Sequence, residues 1–243
     1  MIMIVGGLEK LTLIDFPGCL SAIIFTKSCN FRCHYCYNPM LVWPDEGTDG
    51  KNKKEKDQRG LGLEDLFLFL EERFGRLDGV VISGGEPTLH QDLPEFIRRI
   101  KDIGYKIKLD TNGTNPEMLE KLISEKFLDY IAMDIKAPFS RYKEVVNVDL
   151  DFSKLEKSVK IIKESNLPHE FRTTVVPGLL AADDFEEMGR SLAGAMAWYL
   201  QKFKSDTALV DGAYEGRAAY TQKEMLKFSE IGKKYVASCQ LRD

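Results

Sequence analysis

Short apolar runs alternate with amphipathic segments along the chain. Six runs of five to seven residues are rich in branched or aromatic side chains, which predicts buried strands. In the intervening segments, apolar residues recur every three or four positions, as on one face of a helix. The predicted strands cover residues 20–26, 79–83, 105–109, 130–135, 170–176 and 198–203.

Local signals mark where the helices begin. Ser153, Asp183 and Thr221 are each followed three residues later by Glu, which is the pattern of a capping box. Asn115 precedes Pro116, which predicts an N-cap followed by proline in the first helical turn. These signals predict a helix after each of the last four strands.

Strands that alternate with helices predict right-handed βαβ units and therefore an α/β fold with a parallel sheet. Six units fall short of the eight in a closed barrel, so an open six-stranded barrel and a doubly wound sheet both remain possible. We expect a single domain over residues 1–243. It would carry a polar loop insertion at about 44–60 and a C-terminal extension from about 204.

Composition narrows the class of protein. The chain has 34 Lys and Arg against 38 Asp and Glu, and this absence of a basic excess argues against a general nucleic-acid binder. Its five cysteines are an odd number and three of them are clustered, which suits a reducing compartment better than a disulfide framework. No signal-peptide pattern and no apolar stretch of about 18 residues is present. We therefore expect a cytoplasmic protein without a membrane partner.

The clustered cysteines are Cys29, Cys33 and Cys36, which follow the first strand with C-x3-C-x2-C spacing. Three thiolates within eight residues can face a common point, which suits a metal ion or an iron–sulfur cluster. Closed zinc sites and ordinary electron-transfer clusters take four protein ligands. His34 is poorly placed as a fourth zinc ligand because it directly follows Cys33 in the chain.

Polar residues or glycines occur at the end of every later strand. Chemistry is expected at the carboxyl ends of parallel strands, whether the sheet is open or closed. Such residues suit a small molecule that carries an amine, a carboxylate and a ribose. They are Gly84, Gly85 and Glu86, then Asp110 and Thr111, then Asp134 and Lys136, then Arg172, and last Gln201.

The cysteine motif, followed about fifty residues later by Gly-Gly-Glu-Pro, resembles the radical S-adenosylmethionine (SAM) superfamily. The resemblance implies a partial (β/α)6 TIM-like barrel and a [4Fe–4S] cluster on the three cysteines. The amine and carboxylate of SAM would then be the fourth ligand. Reductive cleavage of SAM would give a 5′-deoxyadenosyl radical that abstracts hydrogen from a substrate.

Two further motifs, 110–113 (DTNG) and 134–136 (DIK), resemble the activating enzymes of glycyl-radical enzymes. The most similar pattern is that of the activating protein of the anaerobic ribonucleoside-triphosphate reductase. This resemblance implies that the substrate is a glycine of that reductase and that flavodoxin or ferredoxin is the electron donor.

The resemblance also implies a role for each site residue. Gly84, Gly85 and Glu86 would meet the amine of SAM, and Lys136 and Arg172 its carboxylate or ribose. Asp110, Thr111 and Asp134 would contact SAM or a monovalent cation, and Tyr35 would accompany the adenine.

Two alternatives remain open. One is a radical SAM enzyme for another substrate, such as a pyruvate formate-lyase activase or a 7-carboxy-7-deazaguanine synthase. The other is a non-catalytic iron–sulfur protein for electron transfer or sensing. Electron transfer alone does not need the polar residues at the strand ends.

Overall fold

A computed structural model describes residues 3–43, 62–149 and 151–242 of the chain. The loop predicted at 44–60 therefore lies outside the described residues. Within them, eight strands form one sheet. The strands are β1 (Val5–Thr12), β2 (Ser21–Thr26), β3 (Gly79–Gly84), β4 (Lys106–Thr111), β5 (Tyr130–Asp134), β6 (His169–Val175), β7 (Ala197–Lys202) and β8 (Ser238–Arg242). The helices are α1 (Pro39–Val42), α2 (Leu63–Arg73), α3 (Leu93–Ile103), α4 (Pro116–Ser124), α5 (Tyr142–Val146), α6 (Ser153–Glu164), α7 (Ala182–Ser191) and α8 (Gln222–Gly232).

The order of the strands in the sheet follows their order in the chain, from β1 to β8. Strands β2 to β8 are parallel, and β1 pairs antiparallel with β2. A doubly wound sheet reverses its strand order at a switch point, whereas an unbroken sequential order builds a barrel wall. The two end strands pair with one neighbour each, so the wall is open. The prediction of a partial TIM-like barrel is confirmed.

The six predicted strands correspond to β2 to β7, and the sequence analysis missed the two edge strands. Edge strands have only one neighbour and tolerate polar residues on both faces, so they lack the apolar run that marks a central strand. Strand β1 carries Glu9 and Lys10, both exposed, and β8 ends in the half-buried Arg242. The short helices α1 and α5 were also not predicted.

The capping signals had mixed outcomes. Thr221 forms the predicted capping box, because its hydroxyl accepts from the main-chain N–H of Glu224. The box predicted at Ser153 is wrong: Ser153 is the first residue of α6, and its N–H and hydroxyl both donate to Asp151. The box predicted at Asp183 is also wrong: α7 begins at Ala182, and Asp184 instead of Glu186 accepts from a main-chain N–H, that of Ala181.

Successive side chains of a strand point to opposite faces, and the two faces of this sheet differ. Ile82 of β3 belongs to the large core between the sheet and the helices. Its neighbour Val81 belongs to a separate small cluster with Phe16, Cys19 and Ile23. This second face is the inside of the open barrel. Its apolar cluster fills one end, and the other end is available for a site.

The predicted C-terminal extension begins with a long connection after β7, in which residues 212–214 form one 3₁₀ turn. Helix α8 and strand β8 follow, and β8 joins the same sheet. That residues 1–243 form a single domain stays a prediction.

Candidate functional site

Every site residue predicted from the sequence lines one cavity of about 320 Å³ at the carboxyl ends of the strands. The loop after β2 supplies the cysteines and Tyr35, while β3 to β6 and the turns that follow them supply the rest. Gln201 of β7 and Asp15 also line the cavity. The predicted residues in this wall are Cys29, Cys33, Tyr35, Cys36, Gly84, Gly85, Glu86, Asp110, Thr111, Asp134, Lys136 and Arg172.

The three clustered cysteines are free thiols, with Cys33 buried and the other two half-buried. Burial raises the pKa of the Cys29 thiol to about 11. Burial also raises the pKa of Cys33 to about 12. Because thiolates are the ligands of iron, a group bound here must bring enough positive charge to displace these protons. The donor set and the cavity beside it fit an iron–sulfur cluster.

The alternative of a zinc site with His34 gains no support from the structure. Nδ1 of His34 lies 2.8 Å from a carboxylate oxygen of Asp211, and its ring stacks on Tyr214. No group of three or more His, Cys, Asp or Glu side chains among the described residues is arranged to hold a metal ion. A single zinc ion needs all its ligands on one metal atom, whereas in a cluster of several iron atoms each cysteine can bind a different iron.

Gly84 and Gly85 allow two segments of main chain to pack closely. A Cβ on Gly84 would lie 2.3 Å from the nitrogen of Thr26, and one on Gly85 would lie 2.1 Å from the oxygen of Ser28. Gly84 also has a φ of +115°, which favours glycine. The close approach expected for a ligand is therefore made first by the chain that leads into the cysteine loop.

Glu86 is fully buried and serves as a hydrogen-bond centre for two strand-end turns. Its Oε1 accepts from the N–H and hydroxyl of Thr88 and from the hydroxyl of Thr111. Its Oε2 accepts one bond, 2.5 Å long, from the N–H of Asn112. Burial raises the pKa of Glu86, and these donors oppose that shift. With one donor among the described residues against three at Oε1, Oε2 has the greater capacity to accept another bond.

Four charged residues on β4, on β6 and at the end of β5 and just after it form a continuous ion-pair network. Arg172 donates to Asp134 at 2.8 Å and to Asp110 at 3.0 Å. Lys136 donates to the other oxygen of Asp134 at 3.0 Å. The register places Asp134 beside Arg172 on neighbouring parallel strands, which explains why these distant residues meet.

The network shifts the pKa of each of its members toward the charged form. Burial opposes ionisation of Asp110, but Arg172 and Lys108 outweigh it and hold its pKa below the ordinary value. Arg172 and Lys136 similarly outweigh burial at Asp134 and lower its pKa. Burial disfavours the charge of Arg172 and of Lys136, but the carboxylates raise the pKa of both.

Sequence reasoning missed an extension of this network into the barrel. Nζ of the fully buried Lys108 lies 3.0 Å from Oδ1 of Asp110, although not in hydrogen-bond geometry, and 3.5 Å from Glu170. Arg242 of β8 completes the network with two hydrogen bonds to Glu170, at 2.8 and 2.9 Å. The signal that could have found it is alternation: Lys108 and Glu170 each stand two residues before a site residue, on the same face of the strand.

Tyr35 is buried between Cys33 and Cys36, and its ring lies 6.0 Å from Nζ of Lys136. Burial raises the pKa of its hydroxyl. Among the described residues, this hydroxyl has no hydrogen-bond partner, so its hydrogen-bonding capacity remains available to a bound molecule.

A family model, that of the Radical SAM superfamily, matches residues 23–192, which include the cysteines and the strand-end residues up to Arg172. The chain therefore belongs to the radical SAM superfamily, whose cofactors are a [4Fe–4S] cluster and SAM. Within the described residues, no helix has the length and apolar character to cross a membrane.

Two similar proteins come from Methanocaldococcus jannaschii and share the provisional name glycyl-radical enzyme activating enzyme. One is 33% identical over 98% of this chain and 95% of its own length. The other is 28% identical over 90% of this chain and 80% of its own. The crystal structure of Streptococcus suis SuiB bound to SAM aligns with a TM-score of 0.65 and 14% identity, over 88% of this chain and 48% of SuiB. This chain spans about half of SuiB, and the likeness concerns the fold alone.

Proposed function

We propose that this radical SAM enzyme activates the anaerobic ribonucleoside-triphosphate reductase by abstracting hydrogen from one of its glycines. The observation that carries the proposal is the single cavity in which three thiols face a preformed set of paired charges. Near-complete alignment with a protein provisionally named as a glycyl-radical enzyme activating enzyme supports it. The free cysteines of the described residues favour the reducing cytoplasm as its compartment.

Cys29, Cys33 and Cys36 would hold the cluster and leave one iron without a protein ligand. When bound, the cluster supplies an electron to SAM, which releases methionine and the 5′-deoxyadenosyl radical that takes hydrogen from the substrate. The cavity wall binds and orients the molecule. Because its charges are already paired, little of the wall has to reorganise when SAM enters.

Each contact with SAM is assigned by chemistry. Main-chain atoms of Gly84 and Gly85 and Oε2 of Glu86 would take the amine, and Lys136 and Arg172 the carboxylate or a ribose hydroxyl. Thr111 would orient Glu86 through its hydroxyl, and Tyr35 would lie against the adenine. A monovalent cation at Asp110 and Asp134 would have to compete with Arg172, which bonds to both.

Two neutral residues of the cavity wall argue for a peptide as the substrate. Thr174 and Gln201 are register partners on β6 and β7, and both line the cavity. In the described part of the chain, neither side chain forms a hydrogen bond. A carboxamide can donate and accept as a peptide group does. A neutral, unpaired wall suits a glycine segment better than a charged small molecule such as a deazaguanine acid.

The test is anaerobic mixing of this enzyme with SAM, a reductant and the reductase encoded in the same genome. A flavodoxin or ferredoxin is the expected physiological donor, and a chemical reductant can replace it. We expect a glycyl-radical electron-spin-resonance signal on the reductase, absent when the glycine is replaced by Ala. A signal that appears instead on a pyruvate formate-lyase would assign a different partner.

Methionine release upon reduction, without any partner, separates an enzyme from an electron-transfer or sensor protein. We expect release from the protein with its cluster and SAM. A cluster that reduces and reoxidises without releasing methionine would contradict the enzymatic function.

A further inference from the structure

Residues 204–217 form most of the connection between β7 and α8 and are called the strap here. The strap lies against residues 27–38, which are called the cysteine loop. The strap is closed at its base, where the oxygen of Ser205 accepts from the N–H of Gly216 at 2.8 Å and its hydroxyl donates to Arg217. Within the strap, Glu215 accepts from the N–H of Leu209 at 3.0 Å. These internal bonds give the strap a defined shape of its own.

Four contacts fix the strap to the cysteine loop. The N–H of Val210 donates to the oxygen of Cys36 at 2.9 Å, and that of Asp211 donates to the oxygen of His34 at 3.0 Å. The carboxylate of Asp211 meets Nδ1 of His34 at 2.8 Å. The ring of Tyr214 stacks on the ring of His34, with centroids 5.4 Å apart.

The two halves of the cysteine loop are held by different parts of the fold. The first half is tied near the barrel, since the N–H of Cys29 donates to Val42 and the N–H of Arg32 donates to Val146. For residues 33–36, the main-chain hydrogen bonds from outside the loop come from the strap, as far as the described residues show. The Cys36 end of the loop therefore depends on the strap.

We propose that the strap is the element that retains the Cys36 end of the cluster site, with Asp211 and Tyr214 as positioning residues that act through His34. The inference rests on the proposed cluster ligands and goes beyond the proposed activity. When the strap is loosened, the loop opens more often, and iron at Cys36 is lost through that open state. The protein should then bind a cluster normally but lose it faster.

The test compares cluster loss from the full chain after anaerobic assembly. An iron(II) chelator is added, and the visible absorbance of the cluster is followed with time. We expect Asp211→Ala to lose the cluster about tenfold faster than wild type, as expected for loss of a hydrogen bond to a charged group. Tyr214→Ala, which loses the stacked ring, should lose the cluster roughly three- to tenfold faster. Asp211→Asn keeps an acceptor for His34 and Tyr214→Phe keeps the stacked ring, so both should behave like wild type.

Asp151→Ala is the matched control because Asp151 bonds to Ser153 at the start of α6 and does not contact the strap. In the cluster-free chain, hydrogen exchange should rise in Asp211→Ala at Val210, whose N–H donates to the loop, and at Cys36, whose N–H donates to Cys33. Exchange at both residues should stay unchanged in Asp151→Ala. Wild-type rates of cluster loss in both alanine variants, or equal acceleration in the control, would overturn the proposal. If Asp211→Ala does not fold, Tyr214→Ala decides.

The two proposals fail in different ways. A retained cluster that never releases methionine would remove the proposed activity and leave the strap's role standing. A wild-type chain that assembles no cluster would remove both.

Discussion

The two walls of the cavity contrast in how far each is complete. On the cysteine wall, burial raises the pKa values of Cys29 and Cys33, so the thiols are neutral. On the strand-end wall, Arg172 helps to lower the pKa values of Asp110 and Asp134 despite similar burial. The difference lies in the partner, because the carboxylates have cations within 3.0 Å and the thiols have none that outweighs burial.

This contrast assigns a different task to each wall. The strand-end wall satisfies its own charges and can recognise a polar ligand without rearrangement. The cysteine wall becomes charged only when a metal group displaces its protons. Substitutions in the strand-end wall should therefore affect folding and ligand recognition, and substitutions of the cysteines should affect cofactor binding alone.

The largest expected effect is that of Cys33→Ala. We expect the iron of the cluster and all SAM cleavage to be lost while the fold remains, because the cluster would keep only two protein ligands. Anaerobic iron analysis and methionine release provide the measurements. Cys239→Ala is the control, since the buried Cys239 pairs with Trp198 in the sheet and does not line the cavity. An iron content in Cys33→Ala equal to that of wild type would make the ligand assignment wrong.

The next largest effect concerns Lys108→Met. This change removes the buried cation that Asp110 and Glu170 share and leaves each carboxylate with one arginine, so we expect the free energy of unfolding to fall by ~1.5–3 kcal/mol. Urea unfolding of the cluster-free chain measures it. Lys157→Met is the matched control because Lys157 pairs with Glu117 at the surface. If the two variants are equally stable, the buried network does not hold the strand-end wall together.

Lys108 also shows where sequence reasoning ends. Its strand was predicted, and alternation alone places it on the same face as Asp110. Its partner Glu170 lies 62 residues away, and Arg242 belongs to an edge strand with no apolar signal. Without knowledge of those partners, a lysine in a strand is expected to be exposed to solvent, so the buried network could not be predicted.

The cysteines and strand-end residues could be predicted because their signals are local. Three cysteines occupy eight consecutive residues, and each polar residue lies within or shortly after an apolar run. The contacts of the strap could not be predicted, because Asp211 is 177 residues from His34 and lies in no motif. The donors to Glu86 likewise come from two different turns, which only the packed barrel brings together.

An intermediate effect is expected from acid. The folded-state pKa values of Asp110, Asp134 and Glu170 are lowered, so the stability they contribute is present above their unfolded pKa of about 4 and is lost as the pH falls below it. Glu86, with a raised pKa, acts in the opposite direction but is one group against three. Urea midpoints of the cluster-free chain should therefore drop between about pH 5 and pH 3.

This measurement is best made at about 1 M salt, which screens exposed ion pairs but not buried ones. Asp134→Asn should flatten the pH dependence, by up to ~1.4 kcal/mol per pH unit for one proton. An unchanged slope in Asp134→Asn would mean that exposed carboxylates, not the strand-end wall, control acid unfolding.

The smallest expected effect concerns Glu86, where the two walls meet. Glu86→Ala should keep the iron on the cysteines and weaken SAM binding, by about tenfold for the loss of one bond to a charged group. Equilibrium titration of SAM measures the affinity.

Thr88→Val removes a donor to Oε1 of Glu86 without changing a residue of the cavity wall. If Glu86 meets the amine directly through Oε2, only Glu86→Ala should weaken binding. If Glu86 acts by positioning the turn at Thr111 and Asn112, both variants should. An unchanged affinity in Glu86→Ala would remove Glu86 from the SAM site and leave it as a structural centre of the strand-end wall.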